Sequence, residues 1–210
     1  MTQIANRFAW SSRSKIDQIE NVGDPLEFAD QTQSNSNHLR GIKMLHEIRA
    51  LIESRSSFRI HPDGPTAIKT SDGASGGVLE CVTSGSSGVP KIIRRSHRSW
   101  IASFEVNASL FDLSAGDTYA AFGSLSHSLS LYGVLEAVHI GADLCLMAGL
   151  RADRQLKALQ KTPVTTLYVT PTQIENLINV ADENLRIESV KRIFIGGGAL
   201  STLLADKCKS

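Results

Sequence analysis

The segment from Cys81 to Lys91 concentrates residue types that can bind phosphate. It reads Cys-Val-Thr-Ser-Gly-Ser-Ser-Gly-Val-Pro-Lys, so four hydroxyl side chains and two glycines precede a lysine. Glycine lets the backbone approach a ligand closely and adopt positive φ. Backbone N–H groups and hydroxyls can then surround a phosphate, and the ammonium of Lys91 adds a positive charge. These residues predict a phosphate-binding loop.

The spacing of the loop excludes two other readings and leaves one open. It is not a Walker loop, because two residues separate Gly85 from Gly88 and Pro90 precedes Lys91. It is not a nucleophile elbow either, since the Gly-x-Ser-x-Gly spacing is absent. A flexible Ser/Gly turn between two strands, like the segment 71–77 just upstream, is the alternative that composition alone leaves open.

The sequence around and after the loop predicts alternating strands and helices. Hydrophobic periodicity predicts helices over 38–53, 96–113, 129–139, 152–160 and 171–180. Strands are predicted at 78–83 and 91–95, and four apolar runs begin near Thr118, Asp143, Thr165 and Lys191. Thr170 followed by Pro171 indicates a helix N-cap with proline in the first turn. Strands that alternate with helices predict a largely parallel sheet flanked by helices.

The region before the loop is less regular. The tract 31–37 is rich in Gln, Ser and Asn, and we expect it not to order itself. Residues 61–77 contain two prolines and four glycines, which favours loops with at most a short strand at 67–69. We therefore divide the chain into a polar N-terminal segment, 1–77, with one amphipathic helix and loops, and an α/β part, 78–210.

Composition narrows the class of protein. Of the 210 residues, 41% are hydrophobic and 20% charged, which is typical of a folded globular protein. The net charge of +1 argues against broad nucleic-acid affinity. Three widely spaced cysteines without a CxxC pair fit a reducing cytosol, and no signal peptide is recognisable, so we expect a cytoplasmic protein. The most apolar window, 129–150, is interrupted by charged residues, so no membrane span is expected.

The segment Thr83–Lys91 resembles the Thr-Ser-Gly-[Ser/Thr]-[Ser/Thr]-Gly-x-Pro-Lys signature of the adenylate-forming (AMP-binding) superfamily, which includes acyl-CoA synthetases, and it matches at all nine positions. Later landmarks agree in order. Leu125–Gly133 resembles the family's aromatic/histidine gate, and Ile195–Ser201 resembles its Gly-Gly-Ala-Pro-Leu-Ser segment, with Ala199 in place of proline. The resemblance spans about residues 78–201.

The resemblance implies an incomplete large N-terminal domain of the adenylate-forming fold and an ATP-dependent acid–thiol ligase. Such an enzyme converts a carboxylic acid, here a fatty or other acyl acid, to an acyl-adenylate and transfers it to coenzyme A or a carrier pantetheine; Mg²⁺ accompanies ATP. By position, His127 would be the catalytic gate beside the carboxylate. The residues that would bind the nucleotide are Thr83, Ser84, Gly85, Ser86, Ser87, Gly88, Lys91, Gly197, Gly198 and Ala199.

Each of these assignments has a plainer alternative. His127 lies among serines at 124, 126, 128 and 130, so it can be a hydrogen-bonded loop histidine. Gly196–Gly198 can simply end a strand. No metal-binding residue is predicted.

The family's later motifs are not found before Ser210: the magnesium-binding glutamate, the ribose-binding aspartate and the adenylation lysine. We therefore expect weak or no adenylation by this chain alone, and a partner chain or a missing C-terminal half. A degenerate remnant that binds a nucleotide or a partner without catalysis is the alternative function.

Overall fold

The structure is a computed structural model that describes residue 5 and residues 7–15, 32–69, 77–83 and 91–208, with the backbone alone for 32–35 and 83. Its helices are α1 (Thr32–Glu53), α2 (His97–Phe111), α3 (Ser128–Ile140), α4 (Ala152–Lys161), α5 (Pro171–Val180) and α6 (Thr202–Lys207). Its strands are β1 (Ser57–His61), β2 (Gly64–Ile68), β3 (Val78–Thr83), β4 (Lys91–Ser96), β5 (Thr118–Ala121), β6 (Asp143–Leu146), β7 (Thr166–Val169) and β8 (Arg192–Ile195).

The second half of the chain forms the predicted parallel sheet. Sheet B has the order β6-β5-β7-β8, and all three pairings are parallel. The four-residue strands β5 and β7 are buried throughout, because helices cover both faces of the sheet. Alternate side chains therefore belong to two cores: Tyr119 and Tyr168 face the core that contains α3, whereas Leu167 faces the core that contains α4 and α5.

The first sheet is mixed. Sheet A has the order β2-β1-β3-β4, in which β1 pairs parallel with β3 while the β1–β2 and β3–β4 pairs are antiparallel. The prediction of loops over 61–77, with at most a short strand at 67–69, is wrong for His61, which ends β1, and for residues 64–66, because β2 already begins at Gly64 and forms a hairpin with β1. A three-residue overlap joins β1 to β3 across our sequence division at residue 77.

Helix α1 begins earlier than its apolar pattern. It starts at Thr32, inside the polar tract that we expected not to order itself, so that prediction is wrong for the backbone of 32–37. The contacts of its first turns explain the difference. His38 Nδ1 lies 3.1 Å from the carbonyl oxygen of Ala148, and the backbone at Asn37 and His38 packs against Gly149. Tertiary contact thus stabilises turns whose sequence is a poor helix former.

The first residue of α2, the buried His97, ties this helix to the N-terminal segment 7–15. The ring of His97 stacks on Phe8 with centroids 4.0 Å apart, and the N–H of Phe8 donates to His97 Nδ1 at 3.4 Å. Burial, assisted by the charge of Arg7, lowers the pKa of His97 to about 4. His97 is therefore neutral at physiological pH and acts as part of the core.

Candidate active site at the carboxyl edge of sheet B

The strand order of sheet B creates a crevice at one edge. From β5 the chain crosses by α3 to β6 on one side, and from β7 it crosses by α5 to β8 on the other. The loops that follow the adjacent strands β5 and β7 therefore leave in opposite directions. In open α/β sheets, ligands bind in the gap between such diverging loops, outside the carboxyl ends of the strands.

The loop after β5 presents His127 at this edge. Leu125 is fully buried and anchors the loop, and the hydroxyls of Ser124 and Ser126 lie 2.9 Å apart. The N–H of His127 donates to the carbonyl of Ser124 at 3.0 Å, which closes a turn immediately before α3. His127 is the N-cap of that helix, and its exposed imidazole makes no capping hydrogen bond to the described residues. The residue thus lies at the carboxyl edge of the sheet, between β5 and α3, with an exposed side chain.

The loop after β7 is rigid at its first residue. Thr170 accepts from the N–H of Gln173 at 3.3 Å, and the Gln173 side chain accepts from the N–H of Thr170 at 2.8 Å. This reciprocal capping box, with Pro171 at the first helical position, confirms the predicted start of α5. A Cβ added to Gly123, just after β5, would lie 3.3 Å from Gln173 Nε2, so the chain after β5 lies close to the first turn of α5.

The loop after β8 lies next to the helices that follow β5 and β7. A Cβ on Gly196 would lie 3.1 Å from a methyl of Leu129, two residues beyond His127, and one on Gly198 would lie 3.6 Å from Pro171. Gly197 has a φ of +81°, a conformation that glycine adopts without strain. Gly197, Gly198 and Ala199 are exposed. The structure therefore brings His127 and the 197–199 segment, 70 residues apart in sequence, to one edge of the sheet.

The predicted phosphate loop lies mostly outside the described residues. Thr83 and Lys91 face each other at the end of the β3–β4 ladder, so the loop joins two antiparallel strands. Lys91 is exposed. Ser84, Gly85, Ser86, Ser87 and Gly88 fall on residues 84–90, which the structure does not describe, and the side chain of Thr83 is likewise outside it. The roles predicted for these residues stay predictions.

Behind the crevice lies a buried polar cluster that sequence reasoning missed. Glu136 on α3 is fully buried and accepts from Asn107 Nδ2 at 3.0 Å, from Tyr119 Oη at 3.2 Å and from Tyr168 Oη at 2.6 Å. Burial raises the pKa of Glu136, although hydrogen bonds from Tyr168, Asn107 and Tyr119 oppose the shift. The sequence did hold one signal, a single glutamate inside the most apolar helix of the chain.

Two of the cysteines are unsuited to nucleophilic chemistry. Burial raises the pKa of Cys81 to about 11 and that of Cys145 to about 12, so neither forms a reactive thiolate near neutral pH.

Within the described part of the chain, no group of three or more His, Cys, Asp or Glu side chains is arranged to hold a metal ion. In the same part, no helix is long and apolar enough to cross a membrane.

Comparison with known proteins shows the family to which this chain belongs. The AMP-binding enzyme family matches residues 33–210, so the chain belongs to that family. This agrees with the resemblance seen in the sequence, which rested on residues 78–201.

Two curated relatives are ligases by name. The chain is 34% identical over 98 residues to the uncharacterized acyl-CoA ligase YhfT of Bacillus subtilis, covering 47% of this chain and 20% of that protein. It is 35% identical over 130 residues to the putative long chain fatty acid-CoA ligase VraA of Staphylococcus aureus, covering 61% of this chain and 28% of the relative. The matched region is thus between a fifth and a third of the length of these relatives.

Solved structures share the fold. O-succinylbenzoate coenzyme A synthetase (MenE) of Bacillus subtilis in complex with AMP superposes with a TM-score of 0.54 at 22% identity, over 62% of this chain and 33% of that one. The nonribosomal peptide synthetase FmoA3 gives a TM-score of 0.56 at 19% identity, over 69% of this chain and 15% of that one. The fold is that of adenylate-forming enzymes.

Proposed function

We propose that this chain carries the phosphate-binding part of an acid–thiol ligase. In its first step, a carboxylate oxygen of an acyl acid attacks the α-phosphorus of ATP, the bond to the β-phosphate breaks, and pyrophosphate leaves. In the second step, the sulfur of coenzyme A or of a carrier pantetheine attacks the acyl carbonyl, AMP leaves, and the thiol proton passes to solvent. Family membership and the ligase names of two relatives support the proposal.

One observation carries the assignment of the site. His127, the capped start of α5 and the glycine segment after β8 converge on the carboxyl edge of sheet B, where the β5 and β7 loops diverge. Convergence of three separate loops is what a binding crevice requires, and the glycines after β8 lie against Leu129, Thr170 and Pro171 of the other two loops and their helices.

Each residue of the proposed site is assigned a role that fits its chemistry. Hydroxyls and N–H groups of residues 83–88, with the ammonium of Lys91, would hold the β- and γ-phosphates of ATP. His127 would border the carboxylate. The side-chain-free backbone of Gly197 and Gly198, which is exposed, fits close approach of a flat adenine ring, and Ala199 would continue that surface. Mg²⁺ would arrive bound to the ATP phosphates, and we assign it no residue of this chain.

Nucleotide binding by the whole chain tests the proposal. Isothermal titration calorimetry with ATP should show binding, and Lys91→Ala should weaken it by about 10- to 150-fold, since a charge-assisted hydrogen bond contributes roughly 1.5–3 kcal/mol. The Ser86→Ala/Ser87→Ala double variant should weaken it as well. Lys161→Ala, which removes an exposed lysine at the end of α4, is the matched control and should change nothing.

Two outcomes separate the candidate functions. Exchange of labelled pyrophosphate into ATP with one member of a panel of fatty and aryl acids supports the ligase, even if the exchange is slow. ATP binding without exchange for any acid supports the non-catalytic remnant. Unchanged affinity in both loop variants contradicts the loop assignment.

A further inference from the structure

The position of His127 depends on helix α3, because its own side chain does not fix it. His127 caps α3 through its backbone, and the described residues offer its ring no capping partner. Most of the helix is buried and apolar. Apolar contacts are non-directional, so they distinguish neighbouring registers of such a helix less sharply than buried hydrogen bonds do.

Glu136 supplies directional contacts on the same helix. It lies nine residues after His127, or about 14 Å along the helix axis. Its three hydrogen-bond donors come from three other elements: Asn107 from α2, Tyr119 from β5 and Tyr168 from β7. Strands β5 and β7 are the two whose loops diverge at the crevice. One carboxyl group thus ties α3 to both strands that form the site.

The fit at Tyr168 makes this tie specific to one register. A Cβ on Gly133 would lie 2.7 Å from the Tyr168 ring, so the ring passes across α3 only because residue 133 has no side chain. The Tyr168 hydroxyl then meets Glu136 one turn later at 2.6 Å. A slide of the helix by one residue would break this contact and place a side chain in the path of the ring.

The charges around Glu136 suit positioning rather than simple ion pairing. Among the described residues, its partners are neutral donors, two tyrosine hydroxyls and one amide. A third tyrosine, Tyr132 on α3, extends the network to Ser103 at 2.6 Å and to Asn107 at 3.2 Å. Buried polar networks with satisfied partners select a single arrangement of packed elements.

We propose that Glu136, clamped by Tyr119, Tyr168 and Asn107, is the positioning residue that sets the register of α3 and thereby the placement of His127 at the crevice. The part of this inference that concerns catalysis rests on the proposed function. The placement of His127 does not, and it can be measured without any substrate.

The experiment follows the His127 ring by NMR. In the full chain with ¹³C-labelled histidine, the Cε1–H signal of His127 is assigned by its loss in His127→Asn. Glu136→Gln and Tyr168→Phe should each shift that signal, because the start of α3 that carries the ring would move. Tyr168→Phe keeps the number of carboxylates unchanged, so a shift there reports geometry rather than loss of charge.

A control distinguishes positioning from general loss of stability. Arg192→Lys perturbs the opposite edge of the sheet and should lower stability while leaving the His127 signal in place. If the signal is unchanged in folded Glu136→Gln and Tyr168→Phe, the proposal is wrong. If Glu136→Gln does not fold by circular dichroism, Tyr168→Phe and Tyr119→Phe decide. Titration of the wild-type sample with ATP tests the proposed function separately.

Discussion

Two buried carboxylates pack against sheet B, and their surroundings differ in kind. Asp117 precedes β5 at the amino edge, where Arg192 Nη1 donates to it at 2.9 Å, Thr165 Oγ1 at 2.7 Å and the N–H of Ser114 at 2.8 Å. Glu136 lies against the middle of the sheet and, among the described residues, accepts only from neutral groups.

The pKa values move in opposite directions. Burial alone would raise the pKa of Asp117, but hydrogen bonds from Thr165, Ser114 and Arg192, with the charge of Arg192, lower it overall. At Glu136 burial prevails and raises the pKa. At the amino edge, the Asp117–Arg192 ion pair therefore stabilises the fold. At the cluster beside the crevice, burial destabilises the ionised form of Glu136, while its hydrogen bonds fix the geometry of the elements around it.

The largest expected effect comes from unpairing Asp117. Arg192→Leu leaves a buried carboxylate without its cation and should lower the free energy of unfolding by about 3 kcal/mol, measured by urea denaturation at neutral pH. Asp117→Asn/Arg192→Leu should recover part of the loss, because the stranded charge is gone. Lys191→Ala, at the exposed neighbour of Arg192, serves as control. A loss no larger than that of the control would show that the ion pair does not hold this edge.

An intermediate effect is expected from filling the space at Gly133. Gly133→Ala puts a methyl group into the Tyr168 ring and should destabilise the protein by about 2 kcal/mol, although alanine favours helices by up to about 1 kcal/mol. Gly116→Ala is the control, since its Cβ would lie 3.6 Å from Ser114 Oγ, an ordinary contact. Thermal unfolding measures both variants, and equal Tm values would contradict the close fit.

The smallest effects are opposite trends with pH. The lowered pKa of Asp117 gives stability that is present above its usual value and lost as pH falls through the folded pKa. The raised pKa of Glu136 gives the reverse, because the folded protein holds its proton longer and loses stability as pH rises above the usual value of 4.5. Asp117→Asn should therefore cost less as pH falls below about 4, whereas Glu136→Gln should become more favourable as pH rises from 4.5.

Urea denaturation from pH 3 to 8 measures both differences from wild type. Trends of the same sign in the two variants would remove the contrast between the two carboxylates.

Much of the second half of the fold was predictable. The helix predicted over 171–180 has those bounds in the structure, with the predicted Thr170 cap, because a capping box and a proline act within a few residues of one another. The four apolar runs became β5 to β8 for a similar reason, since strands buried on both faces need continuous apolar sequence. The β1–β2 hairpin was not predicted, because its prolines and glycines resemble a loop and its pairing with β3 lies outside any local window.

The sequence by itself determined the βα order, the caps and the family, because these depend on residues close together in the chain. Tertiary structure alone decided which strands are neighbours, and hence that His127 and Gly197 share an edge. It also decided that a lone glutamate in an apolar helix meets two tyrosines from two strands. Contacts between residues so far apart in sequence form only when long stretches of chain close around a common core. No local pattern of residue types encodes such contacts.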